Sequence, residues 1–159
     1  EFGLQLQAKQ KIRQTYRLLE RQFKRWAKEA ISAKSETTLA LVRRLECRLD
    51  NVVYRSGLAQ SRDQARQLVS HGHITLNGKK TAAPSLQVHI SDVIGVREGS
   101  QRGKYFTTLA PQWLKQHQPP VWLEVNLDKL QAKVNSLPTV IDSGLDQKDI
   151  QSLVEFYSR

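Results

Sequence analysis

The sequence predicts an α+β fold: helices toward both ends of the chain, and between them a small, strongly twisted, mainly antiparallel sheet packed on two helices. Apolar residues recur at helical spacing through most of residues 5–56. Around Asn77-Gly78 the period drops to two, the pattern of half-buried strands joined by a tight turn. Helical spacing returns in the final residues, 146–159.

Residues 5–31 read as one long helix. Ile12, Tyr16, Leu19, Phe23, Trp26 and Ala30 form its apolar stripe, and Lys9, Arg13, Arg17, Arg21, Lys24 and Lys28 form a second, cationic one. A solvated face normally mixes signs, so a run of cations on one side points to a polyanion. "SAKSETT" is a polar break in which Ser35 or Thr37 is placed to cap the next helix. That helix is expected over residues 38–56, with Leu41, Leu45, Leu49, Val52 and Val53 inward and Gly57 as its left-handed terminator.

Ser61 and Gln64 fit a capping box, and Ala65, Leu68 and Val69 give the following helix its buried face. Gly72 ends it. Ile74 and Leu76 start a strand, Asn77-Gly78 turns it, and Lys79-Lys80 opens the return. Leu86, Val88 and Ile90 alternate as a further strand, before Val93, Ile94 and Val96. Residues 97–104 are a polar loop, "YFTTLAPQWLKQH" is helix-prone, and "VWLEVNL" reads as extended. Residues 128–159 carry few strong signals. "DQKDIQSLVEFYSR" is an acid-led helix.

The chain has 159 residues, 39% of them hydrophobic and 25% charged, enough to bury a core. It holds no apolar run long enough for a membrane helix and no signal-peptide pattern. Lacking any Met, it reads as a piece of a longer protein. Cys47, the single cysteine, can form neither an internal disulfide nor a zinc cluster and suits a buried, reduced position. The net charge of +10 is uneven: 12 Lys/Arg against 6 Asp/Glu in residues 1–50, 8 against 3 in 51–110, and 5 against 6 in 111–159. A folded protein with so asymmetric a field is suited to nucleic acid.

No phosphate-cradling glycine loop, zinc signature or paired-carboxylate motif is present, so neither metal nor catalytic residues are expected, and no cofactor. Arg48, Arg55, Arg62, Arg66, Lys79 and Lys80 come from two helices and one hairpin that must pack together, a source of phosphate contacts. Ser61, Gln67, Ser70 and Asn77 would add neutral donors for sugars and bases. His71 is expected to touch RNA, while His73 is equally suited to RNA contact and to the core.

"RLDNVVYRSGLAQSRDQARQLVSHGHITLNGKK", followed by "PSLQV" and "DVIGVRE", resembles the S-four-type RNA-binding domain. With "GLQLQAKQKIRQTYRLLERQF", "PPVWLEV" and the terminal "LVEFYSR", nearly the whole chain resembles the bacterial-type ribosomal protein S-four family. The resemblance implies a helical domain built from residues 1–40 and 125–159, with the RNA-binding domain, 41–124, inserted. It implies a non-enzymatic ribosomal protein that binds small-subunit ribosomal RNA at a helical junction and nucleates assembly, near the mRNA entry region and with a part in translational accuracy. Its partners would be ribosomal RNA, neighbouring small-subunit proteins and mRNA, with no membrane and no small-molecule substrate. The location would be a cytoplasmic ribosome, with an organellar ribosome left open. Family members carry about 50 further residues in front, often with a metal-binding cysteine cluster. A stand-alone stress or ribosome-rescue factor bearing this module is the alternative. An RNA-modifying enzyme such as a pseudouridine synthase is more remote, since too few residues remain for a catalytic domain.

Overall fold

The computed structural model describes residues 1–33 and 36–158. The helices before the sheet are α1 (Phe2–Thr15), α2 (Glu20–Ser32), α3 (Thr37–Glu46), α4 (Leu49–Arg55) and α5 (Arg62–Ser70). Then come β1 (Ile74–Leu76), β2 (Lys79–Thr81), β3 (Val93–Val96), α6 (Glu98–Gln101), a π-helical turn (Tyr105–Leu109) and α7 (Pro111–Leu114). β4 (Leu123–Asn126), β5 (Gln131–Val134), α8 (Val140–Ser143) and α9 (Gln147–Tyr157) complete the chain. The fold is α+β, as expected. It divides into two compact units, Glu1–Glu46 with Pro138–Arg159, and Cys47–Leu137.

In the first unit the expected long helix is broken. Arg17 takes a left-handed φ of +58°. The Leu18 N–H bonds to the Arg13 carbonyl at 3.1 Å and the Arg17 N–H to that of Gln14 at 3.1 Å, the paired closure of a Schellman end. Arg13 Nη1 also donates to the Leu18 carbonyl at 2.9 Å. The break turns Leu18 inward and leaves Leu19 68% exposed, so Leu18 takes the expected place of Leu19. The apolar period continues on both sides, and a glycine or asparagine would ordinarily mark such an end. Ser35 lies outside the described residues. Thr37 opens α3, and Glu36 does the capping, its carboxylate accepting from the N–H groups of Thr38 (3.0 Å) and Leu39 (2.9 Å).

Ile12, Tyr16, Leu18, Phe23 and Trp26 pack with Leu41 and Leu45 of α3 and with Ile150, Leu153 and Tyr157 of α9. Each such side chain, fully buried, contributes about 1.5–3 kcal/mol. The ends of the chain therefore share one core. Gln5 Nε2 donates to Glu155 at 3.0 Å, and Lys11 pairs with Asp149 at 3.2 Å. Inside it, the Tyr16 hydroxyl donates to the fully buried Glu46 carboxylate at 2.5 Å. Residues 138–146, weak in sequence signal, hold α8, closed by a Thr139–Asp142 capping box and by Gly144 at φ +70°.

In the second unit the expected 38–56 helix does not persist. Arg48 is extended and pairs with Gln87 in an isolated antiparallel bridge, separating α3 from α4. The N–H groups of Leu49 and Asp50 go to the carbonyls of Leu86 (2.8 Å) and Pro84 (3.1 Å). Residues 86–90 are consequently not a ladder strand: Val88 is buried, but Leu86 and Ile90 are exposed. Gly57 ends α4 at φ +91°.

The sheet is antiparallel in the order β2-β1-β3-β5-β4. "VWLEVNL" supplies β4, and the weakly signalled segment after it supplies β5 between β3 and β4. The unit boundaries consequently fall at 46/47 and 137/138, later than the expected 41 and 124. Leu49, Val52, Val53, Ala65, Leu68 and Val69 cover Ile74, Ile94 and Val134.

The segment 105–117 closes the carbonyl end of α4. The Tyr105 hydroxyl donates to the Leu58 carbonyl (2.7 Å), Trp113 Nε1 to that of Gly57 (2.8 Å), and His117 Nε2 to that of Arg55 (2.7 Å). Burial pushes the Tyr105 hydroxyl up to about 12.

Candidate RNA-binding surface

Helix α5 is the centre of the site. Ser61 caps it, its hydroxyl accepting from the Gln64 N–H at 3.1 Å. The Gln64 amide reaches back to the N–H of Gln60 (2.7 Å), one residue before the expected partner. With Ala65, Leu68 and Val69 turned inward, Arg62 and Arg66 are half-buried, and Gln67, Ser70 and His71 are exposed. Arg62 is held in place: Nε donates to Asn51 at 3.1 Å, and its guanidinium lies 4.6 Å from the Tyr54 ring centre. The Ser70 hydroxyl donates to its own helix, at the Arg66 carbonyl (2.8 Å). Arg55, at the end of α4, is half-buried.

Asn77 (φ +52°) and Gly78 (φ +83°) form the tight hairpin turn, setting Leu76 opposite Lys79 and Thr75 opposite Lys80. Both lysines are exposed. Lys80 crosses Gly72: a Cβ there would stand 2.5 Å from its Cε. The absent side chain thus admits both the φ of +79° and the lysine, which lies at the carbonyl end of α5.

The register Ile74↔Val96 brings residue 97 beside residue 73, and the Arg97 N–H donates to the His73 carbonyl at 2.8 Å. His73 Nδ1 is 2.8 Å from the Ser100 hydroxyl. Burial first, and then Arg97, His71 and Lys80, hold its imidazole below the ordinary histidine range. Sequence reasoning missed Arg97 by treating 97–104 as a loop. Its place depends on the β1–β3 register, which pairs strands separated by residues 77–92 and which no local turn signals.

Several expected contacts lie elsewhere. Arg48 is 1% exposed and binds both carboxylate oxygens of Asp50 at 2.9 Å, so its charge is engaged inside the unit. The Asn77 amide is engaged too: Nδ2 donates to Asp92 (2.9 Å) and Oδ1 accepts from the Val93 N–H (2.8 Å), tying the hairpin to the turn before β3. On the helical unit, Lys9 is 4% exposed, ion-paired with Glu20 and set 5.4 Å from the Phe156 ring centre. Arg13 is shared among Gln10, the Leu18 carbonyl and Glu20. The expected cationic stripe is thereby divided by the break in the helix, and Arg17, Arg21 and Lys24 remain exposed.

Among the described residues, no group of three His, Cys, Asp or Glu could hold a metal ion, and no helix is long and apolar enough to cross a membrane.

Comparison with known proteins follows the division into units. A family model described as the S4 domain matches residues 47–94, and one described as the ribosomal protein S4/S9 N-terminal domain matches residues 1–46. Small ribosomal subunit protein uS4 of Herpetosiphon aurantiacus is 45% identical, with all of this chain aligned to 75% of the relative. The uS4 proteins of a Roseiflexus species (48%, 77% of its length) and of Corynebacterium aurimucosum (49%, 78%) are similar over the whole chain. These relatives are structural proteins of the ribosome, not enzymes. The chain belongs to the uS4 family of small ribosomal subunit proteins, with their S4-type RNA-binding domain.

Proposed function

We propose that this protein binds small-subunit ribosomal RNA mainly through the Cys47–Leu137 unit, with the outward face of α5 and the β1–β2 hairpin against the RNA. The observation that carries this is the meeting of basic groups from separate elements at the end of α5. Lys80 crosses Gly72 and the β1–β3 register sets Arg97 beside His73, while Arg62 and Arg66 line the preceding turns. Such a surface suits phosphates and RNA shape, because the major groove of A-form RNA is too deep and narrow for side chains to read.

The finer reading is supported by the resemblance to the family and is part of the same proposal. The target is a helical junction of ribosomal RNA, binding there nucleates small-subunit assembly, and the site lies near the mRNA entry region, where it bears on translational accuracy. Neighbouring small-subunit proteins and mRNA are the further partners, and the protein resides on the ribosome. Filter binding with purified small-subunit RNA, tRNA and anionic liposomes in parallel tests the reading. The ribosomal RNA should bind well ahead of the other two at physiological salt. Equal retention of tRNA would reduce the surface to an unspecific polyanion binder.

A further inference from the structure

The cations around His73 are out of balance. His71 closes α5, Lys80 comes from β2, and Arg97 follows β3, so three separate segments bring basic groups to one imidazole. Lys80 lies over Gly72, between the two histidines, and the β1–β3 register sets Arg97 beside His73, with the Arg97 N–H on the His73 carbonyl at 2.8 Å. The other polar group on it, Ser100 of α6, is neutral and takes Nδ1, leaving Nε2 as the ring's remaining hydrogen-bonding atom. No carboxylate forms an ion pair with Lys80 or Arg97 among the described residues. Like charges gathered without a counter-ion raise the free energy of the unbound protein, and one anion placed among them relieves it.

We propose that His71, His73, Lys80 and Arg97 form a seat for one backbone phosphate of the bound RNA, and that filling the seat is coupled to proton uptake by His73. The proposal rests on the RNA-binding reading above and adds to it a defined contact and a dependence on pH. In the free protein burial first, and then the neighbouring cations, favour the neutral ring of His73. A phosphate in the seat reverses the local field and favours the imidazolium. The bound state then holds more protons than the free state, so affinity rises as pH falls. Each unit by which the phosphate raises an imidazole's pKa gives at most about a tenfold gain. Lys80 has a second part, since it also sits at the carbonyl end of α5. Arg97 is therefore the cleaner probe.

The test is the affinity for purified small-subunit RNA at pH 7.5 and pH 5.5, at fixed ionic strength, for the parent protein, Arg97→Gln, the His71→Gln/His73→Gln double variant, and Arg66→Ala. Thermal melting of each free protein checks that it is folded. The parent should bind several-fold tighter at pH 5.5, and the double variant should bind with little pH dependence. Arg97→Gln should weaken binding and lower the salt slope by about 0.7–0.9, the loss of one phosphate contact. A pH response undiminished in the double variant, or an Arg97→Gln protein with unchanged affinity and slope, overturns the seat. If Arg66→Ala still weakens binding in that case, the RNA surface stands and only the seat is wrong. If no variant changes binding, the surface itself is wrong and the seat falls with it.

Discussion

Individual side chains divide into those that hold the fold and those proposed to meet RNA. Tyr16 is of the first kind. Removing its hydroxyl leaves the buried Glu46 carboxylate short of a strong donor. Tyr16→Phe should cost about 1.5–3 kcal/mol in urea unfolding, the range for a hydrogen bond to a charged group. Arg17 is a local strain: its left-handed φ costs a non-glycine residue about 1–2 kcal/mol, part of which glycine recovers. Arg17→Gly should raise the melting temperature by a few degrees. His73 ties stability to pH. Its folded pKa lies below the ordinary histidine value of 6.5, so the unfolded chain binds the proton more readily. Its contribution is intact above about pH 6.5 and is lost as pH falls toward the folded value. Free protein should therefore melt earlier at pH 5.5 than at pH 7.5, and His73→Gln should narrow that difference.

Elements were legible where local chemistry alone decides them. Ser61, Gly72 and Asn77-Gly78 mark the ends of α5 and the hairpin because caps and positive φ leave a signature within a few residues. The break at Arg17 and the split at Arg48 left none. The first puts an arginine where glycine is usual, and the second depends on a bridge to Gln87, distant in sequence. β5 was missed for a similar reason: its four residues, QAKV, gain their place from pairing with β3 and β4 on both sides. The two turn glycines make a comparison. At Gly78 an added Cβ meets nothing within 4 Å, so Gly78→Ala should cost about 1–2 kcal/mol for its φ alone. Gly72→Ala carries a similar φ and also displaces Lys80, so it should cost more and weaken RNA binding as well. Denaturant midpoints with matched RNA titrations would check the order, and equal effects at both positions would contradict it.

At the scale of the whole molecule, candidate RNA contacts were legible as residue types but not as a surface. Charge pattern alone grouped Arg48 and Lys9 with Arg66, although burial engages the first two in ion pairs. It omitted Arg97, which joins only through the strand register. The shared core of the chain ends makes a separate claim. Deleting residues 150–159 removes Ile150, Leu153 and Tyr157 from that core. Hydrogen exchange should then quicken in residues 12–27, while residues 61–80, which pack in a core of their own, keep their protection. Unchanged protection of residues 12–27 would contradict the shared core. The electrostatic grip of the Cys47–Leu137 unit on RNA is tested most directly by the salt dependence of its complex with small-subunit RNA, for the parent and for Arg66→Ala. With Arg55, Arg62, Arg66, Lys79, Lys80 and Arg97 each neutralising a phosphate, the log–log slope should lie between about −4 and −5.5. Arg66→Ala should reduce its magnitude by about 0.7–0.9 without unfolding the protein. A slope near zero, or one unchanged by Arg66→Ala, would contradict the account.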